Sequence, residues 1–212
     1  MTNTGDLPPY FIGLTGNIAT GKSTVLAYLA DKGAHIADAD KLAHKAIAPD
    51  GPAYEKVIAA FGDEILAEDG AIDRNKLGDI VFVNPEALQQ LEAIVHPATF
   101  ELLRWDIIQS GADVVVVEAI KLLESGRMLT LCDTVWVIAS SPEVQLQRLV
   151  ETRGMGEAEA RQRIDMQTPQ ADKVANAETV IVNDGTLDEL HAQLDAAWVQ
   201  VEEKLVERRL GV

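Results

Sequence analysis

Apolar residues follow two rhythms along this chain. Tyr10 to Thr15 (YFIGLT), Val114 to Val117 and Thr134 to Ala139 (TVWVIA) are short, nearly continuous apolar runs. Strands buried on both faces of a sheet have this composition, because neither face meets water. His35 to Ala37 and Thr179 to Val182 predict two further strands. Between these runs the spacing changes to threes and fours. Ser23 to Lys32 predicts a helix stopped by Gly33, and Ala39 to Ala48 another, closed by the turn cluster Pro49-Asp50-Gly51-Pro52. Ala53 to Phe61 predicts a third, and polar Gly62 to Asn75 reads as a loop or short hairpin. Leu88, Leu91, Val95, Ala98, Leu102 and Trp105 recur at helical spacing, with Pro97 predicting a break or kink near His96. Pro142 to Val150 and Glu157 to Asp165 predict two polar helices joined at Gly154. Leu187, Leu190, Leu194, Trp198, Val201 and Leu205 predict a closing amphipathic helix.

Five strands alternating with helices, beginning strand–loop–helix, indicate an α/β fold with a parallel sheet. Hydrophobic residues make up 47% of the 212 positions, enough for a proper core. No window approaches ~18 uninterrupted apolar residues, so no transmembrane helix is expected, and no membrane partner. Met1 to Pro9 has neither a basic nor an apolar leader region, so no secretory signal is expected. The lone Cys132 cannot build an internal disulfide, and a reducing cytoplasm is the expected location. The sequence is compatible with a monomer. A net charge of −16 argues against a nucleic-acid-binding surface, which needs a basic stripe. It leaves room for a nucleotide, provided that donors and cations are concentrated locally.

One segment supplies that concentration. Gly16-Asn17-Ile18-Ala19-Thr20-Gly21-Lys22-Ser23, followed by Thr24, matches G-x-x-x-x-G-K-[ST] at every fixed position. The glycines allow a tight turn whose N–H groups point inward at phosphate oxygens, and the next helix presents its free amides to the same anion. Lys22 is placed to bridge the β- and γ-phosphates, and Ser23 to offer its hydroxyl to Mg²⁺. The predicted strand before it and helix after it are the context this phosphate-binding loop (P-loop) requires.

Further polar groups fall at predicted strand ends, where open parallel sheets bind ligands. In Asp38-Ala39-Asp40, one carboxylate can cap the following helix while the other faces the phosphate, with Asp40 the better candidate for a general base. Glu118 ends the Val114–Val117 run and is either a Mg²⁺ ligand or a solvated surface acid. Arg148, Arg153, Arg161 and Arg163 lie on the two polar helices, which could close over a nucleotide or be a salt-bridged surface pair. Arg148 and Arg153 are nearer the preceding strand and are preferred. Asn183-Asp184-Gly185 is either a turn or a contact to adenine, and His96 is either structural or functional.

A P-loop serves kinases, GTPase switches and ATPase subunits. The D-x-x-G and N/T-K-x-D motifs of GTPases are absent from the sequence. A kinase instead inserts an acceptor-binding segment between early strands and a short lid later, and Asp50 to Ser110 and Pro142 to Glu178 have those positions.

From Phe11 to Trp198 the chain resembles the dephospho-coenzyme A kinase family. The stretches that carry the resemblance are IGLTGNIATGKST, HIADADKLAHKAI, FGDEILAEDGAIDRNKLGDIVF, VNPEALQQLEAIVHPATF, SPEVQLQRLVETRGMGEAEARQRIDMQ and ETVIVNDGTLDEL. The resemblance implies a P-loop NTPase fold: a core of residues 8–40, 111–141 and 179–208, a helical coenzyme-A-binding insertion at 41–110, and a lid at 142–178. It implies transfer of phosphate from ATP, with Mg²⁺, to the ribose 3′-hydroxyl of dephospho-coenzyme A. A nucleoside or nucleotide kinase, or a non-catalytic nucleotide-binding module, are the competing expectations. Under the resemblance Asp40 is the base, with Asp38 beside it on the acceptor side. Lys22 and Ser23 hold ATP and Mg²⁺, Arg148 is the lid arginine, and His96 lies in the family's His-Pro element. The chain differs from the usual family pattern at Glu118-Ala119-Ile120-Lys121-Leu122, at His44 and at Ala177-Glu178. Lys121 is placed to add a phosphate contact on the substrate side.

Overall fold

The structure, a computed structural model, describes residues 7–123 and 126–211. Residues 1–6 of the stretch inspected above for a leader lie outside them. The chain divides into two compact units, Met1–Ala37 with Ala112–Val212, and Asp38–Gly111.

The first unit is built on a five-stranded sheet of β1 (Tyr10–Gly16), β2 (His35–Asp38), β3 (Val114–Glu118), β4 (Thr134–Ala139) and β5 (Thr179–Val182), in the order β2-β3-β1-β4-β5. Strand β1 pairs in parallel with β3 and β4, and β4 with β5. The sequence expects this parallel α/β sheet, and the two-face burial of its centre explains the continuous apolar runs. Ile12, Leu14, Val114, Val116, Trp136, Ile138 and Ile181 point to one face. There they pack against Val25 and Leu29 of a helix α1 (Lys22–Asp31) and Leu190, Leu194, Trp198 and Val201 of a long C-terminal helix. Val115, Val117, Val135 and Val137, on the other face, are equally buried. Among the described residues no helix is long and apolar enough to cross a membrane.

The second unit is helical: α2 (Ala39–Ala46), α3 (Tyr54–Phe61), α4 (Arg74–Val81) and α5 (Pro85–Ser110). Its core comprises Ala46, Val57, Phe61, Ile65, Leu77, Val81 and Ala98. Two expectations are sharpened here. The loop or short hairpin expected at Gly62 to Asn75 is a 3₁₀ turn (Asp63–Ile65) and a Leu66–Ile72 antiparallel bridge, and its last two residues already belong to α4, which Asp73 caps through its side chain. The polar pair Asn75-Lys76 hid the apolar spacing of Leu77, Ile80 and Val81. Pro97 does not break the helix, because α5 runs through it. Proline deprives the Ala93 carbonyl of its donor, but Ala93 is exposed, so water can replace the lost bond. Burial of Ala98, Thr99 and Leu103 holds the rest.

Returning to the first unit, α6 (Gly126–Leu129), α7 (Pro142–Gln147), a π-helical turn (Arg148–Thr152), α8 (Glu157–Asp165), α9 (Gln170–Val174) and α10 (Leu187–Leu210) complete the chain. Short α6 and α9 carry too few turns to show a period in sequence. A reciprocal cap between Thr186 and Glu189 starts α10, and Gly211 in the left-handed region ends it.

Candidate active site

Parallel strands deliver their carboxyl ends to one edge of the sheet. Here β1 runs into the glycine loop, β3 ends at Glu118, β4 leads to Ser140 and β5 to Asn183. The order reverses beside β1, whose neighbours are β3 and β4, and such a switch point opens a crevice for ligands.

The loop depends on two glycines. A Cβ on Gly16 would stand 2.5 Å from the Ile138 carbonyl oxygen. At Gly21, φ is 90° and a Cβ would stand 2.2 Å from Asn183 Nδ2. Between them Ala19 has φ 59°, the only positive value among described non-glycine residues. Within the turn, buried Thr20 donates its hydroxyl to the Asn17 carbonyl at 2.9 Å. Lys22 Nζ donates to the Gly16 carbonyl at 2.8 Å and lies 3.9 Å from Glu118 Oε1. Ser23 and Thr24 are exposed in the first turn of α1, whose N-terminal residue Gly21 supplies no side-chain cap. The Thr24 amide donates to the Gly21 carbonyl at 3.0 Å, and the helix start faces the loop without a side-chain acceptor from its own N-cap residue.

Arg148, Asn183 and Ser140 brace the turn from behind. Arg148 donates from Nη1 to the Ala19 carbonyl and Ser140 Oγ, each at 3.1 Å, and from Nη2 to the Asn183 carbonyl at 2.8 Å. Asn183 Nδ2 donates to the Thr20 carbonyl at 2.9 Å, and Ser140 Oγ to the Asn183 carbonyl at 2.9 Å. The sequence pointed to Arg148 and Asn183 but not to Ser140, nor to Gln145, whose Nε2 donates to the Ser140 carbonyl at 2.7 Å. Arg153, Lys121 and Gly185 are exposed. Arg161 and Arg163 form surface pairs one helical turn away, with Glu157 at 2.8 Å and Glu159 at 2.9 Å.

A second group missed in the sequence comes from the segment after α8. Gln167 Oε1 accepts from the Ile18 amide at 2.7 Å, and Asn17 Nδ2 donates to the Thr168 carbonyl at 3.2 Å. Buried Lys173 donates to the Ile120 carbonyl at 3.2 Å, the same oxygen that accepts from Thr15 Oγ1. The contacts of Gln167 and Thr168 join residues about 150 positions apart in the chain, which no local pattern reveals.

In the helical unit, Asp38 caps α2: Oδ1 accepts from the Lys41 amide at 2.8 Å, and Oδ2 lies 2.9 Å from Lys41 Nζ. Burial alone would raise the Asp38 carboxyl, but the Lys41 amide and ammonium outweigh it and hold the pKa below the usual value. Asp40, in the first turn of α2, is half-buried. His44 meets Arg74, with Nη1 to Nε2 at 2.8 Å, and His96 is exposed on α5.

A parallel sheet with a glycine loop and a lysine-led helix at its switch point defines a P-loop nucleotide-binding protein. The profile of the family described as "Dephospho-CoA kinase" matches residues 10–189. A dephospho-CoA kinase of Geobacter metallireducens is 45% identical over 196 residues, covering 91% of this chain and 97% of the relative. A crystal structure from Thermus thermophilus superposes with TM-score 0.80 at 32% identity, covering 92% of this chain and 98% of that one. Dephospho-CoA kinase from Campylobacter jejuni gives TM-score 0.65 at 28% identity, with coverage of 92% and 98%. The chain belongs to the dephospho-CoA kinase family.

Proposed function

We propose that this protein transfers the γ-phosphoryl group of ATP to the ribose 3′-hydroxyl of dephospho-coenzyme A, giving coenzyme A and ADP in the last step of coenzyme A synthesis. The observation that carries the reading is the glycine loop at the sheet's switch point, in a chain of this family.

Each residue takes a role its chemistry allows. The loop from Gly16 to Thr24 cradles the phosphates, and Lys22 exchanges its bond to the Gly16 carbonyl for the more strongly accepting β- and γ-phosphate oxygens. Asp40 takes the proton of the 3′-hydroxyl as its oxygen attacks the γ-phosphorus. Asp40 lies half-buried in the first turn of α2, beside the cap that Asp38 provides. Arg148 and exposed Arg153 belong to the lid at 142–178. Asn183 and Gly185 border the adenine. Asp38, His96 and Lys121 serve the acceptor, and the helical insertion at 41–110 binds its coenzyme-A-like body.

The exposed Ser23 hydroxyl and the Glu118 carboxylate are hard oxygen donors, a set that suits Mg²⁺, which binds few protein ligands and keeps several waters. When bound, this ion neutralises charge developing on the phosphate oxygens. The lone Cys132 supports a cytoplasmic location, and the protein acts on a small-molecule substrate.

Asp40→Asn tests the mechanism. Turnover should fall by at least roughly a hundredfold, the scale of a lost general base, while ATP binding by calorimetry stays within about twofold. Turnover close to the unsubstituted rate would remove Asp40 from the reaction.

A further inference from the structure

The P-loop of this chain contains a strained turn that its own backbone does not explain. Ala19 has φ 59°, in a region an alanine enters only at a cost, and such conformations persist where surrounding contacts over-determine them. Three contacts surround this residue. The amide before it, of Ile18, donates to Gln167 Oε1 at 2.7 Å. The Asn17 side chain donates to the Thr168 carbonyl at 3.2 Å, and the Ala19 carbonyl itself accepts from Arg148.

The segment that supplies Gln167 is fastened independently. Gln170 Oε1 accepts from the Ser140 amide at 3.0 Å, and Lys173 donates to the Ile120 carbonyl at 3.2 Å. Lys173 is 3% exposed, so this end is buried in the unit. Four hydrogen bonds therefore tie residues 167–173 to the segments that follow β1, β3 and β4. Gln167 reaches the loop from a fixed base.

We propose that Gln167 is a positioning residue for nucleotide binding: its side-chain oxygen holds the Ile18 amide and so keeps Asn17–Ala19 in the turned conformation that presents the following loop and the start of α1 to the phosphates. The inference rests on the reading that residues 16–24 hold ATP. The oxygen, as acceptor, is the working atom. A side chain of equal length without a strong acceptor loses the effect, and a carboxylate of equal length keeps the hold on the loop.

The test compares Gln167→Met, Gln167→Ala and Gln167→Glu in the full chain. Two readouts are used: hydrogen exchange at the Ile18 amide, and the Kd of a non-hydrolysable ATP analogue with Mg²⁺. Loss of one buried-edge hydrogen bond predicts a rise in Kd, and in KM for ATP, of roughly 3- to 10-fold in the Met and Ala variants. Their Ile18 amide should exchange faster, while kcat at saturating ATP and KM for dephospho-coenzyme A change less than about twofold. The Glu variant should retain slow Ile18 exchange. An unchanged or lower Kd in the Met and Ala variants would overturn the proposal, the lower value meaning that Gln167 blocks an amide the nucleotide needs. Equal losses for both substrates would also overturn it, as a merely structural effect. Because the analogue binds without any acceptor, a failure of dephospho-coenzyme A turnover would count against the proposed reaction alone.

Discussion

Lys22 and Gly21 show how closely chemistry and backbone are matched at adjacent positions. The Lys22 ammonium reaches back to the Gly16 carbonyl at 2.8 Å, and the residue before it turns left-handed to start α1. Gly21 makes that turn with φ 90° and leaves space for Asn183 Nδ2, which holds the Thr20 carbonyl. Gly21→Ala introduces both a strained φ and an overlap at 2.2 Å. Left-handed alanine alone costs about 1 kcal/mol, and the Asn183 contact must also be given up. The variant should bind ATP at least about tenfold more weakly, measured by calorimetry, with its melting temperature lowered by a few degrees. Undiminished ATP affinity would mean that the loop does not carry the nucleotide.

At the scale of elements, Asp38 joins β2 to α2 and makes the stability of that junction pH-dependent. Its carboxyl is held below the ordinary 3.8, so the stabilisation is fully present above that pH. It is lost as pH falls through the lowered folded-state value, because the unfolded chain then binds the proton more tightly. Asp38→Asn keeps a capping oxygen but not the charge. Its stability in urea should decline less steeply with acidification below about pH 4 than that of the unsubstituted protein. Parallel curves would remove Asp38 from the pH response. The elements also show what the sequence makes legible. The five strands stand out because burial on both faces removes polar residues from them, as in Val114–Val117. Helix α4 does not, since Asp73, Arg74, Asn75 and Lys76 fill its cap and first turn. Pro97 does not end α5, because local propensity is outweighed by the packing of Ala98, Thr99 and Leu103.

Over the whole molecule, a chain of net charge −16 must gather its cations locally if it is to bind phosphates as proposed. Lys22, Arg148 and Lys173 all lie at the carboxyl edge of one sheet, although Arg148 and Lys173 are committed to carbonyl oxygens. The glycine loop was legible because its chemistry is compressed into eight consecutive residues. Its braces were not, because Ser140, Gln145 and Gln167 act through contacts that only the folded sheet creates. The central claim is that this edge transfers phosphate from ATP to one particular alcohol. It is tested most directly by incubating purified protein with ATP, Mg²⁺ and dephospho-coenzyme A, beside a panel of nucleosides and nucleoside monophosphates, and following products by mass spectrometry and phosphorus NMR. The account predicts one new phosphomonoester on the ribose 3′-oxygen, giving coenzyme A with one ADP per product, and slower turnover of every panel member. Faster phosphorylation of a nucleoside or monophosphate, or no coenzyme A from protein that binds ATP, would contradict it.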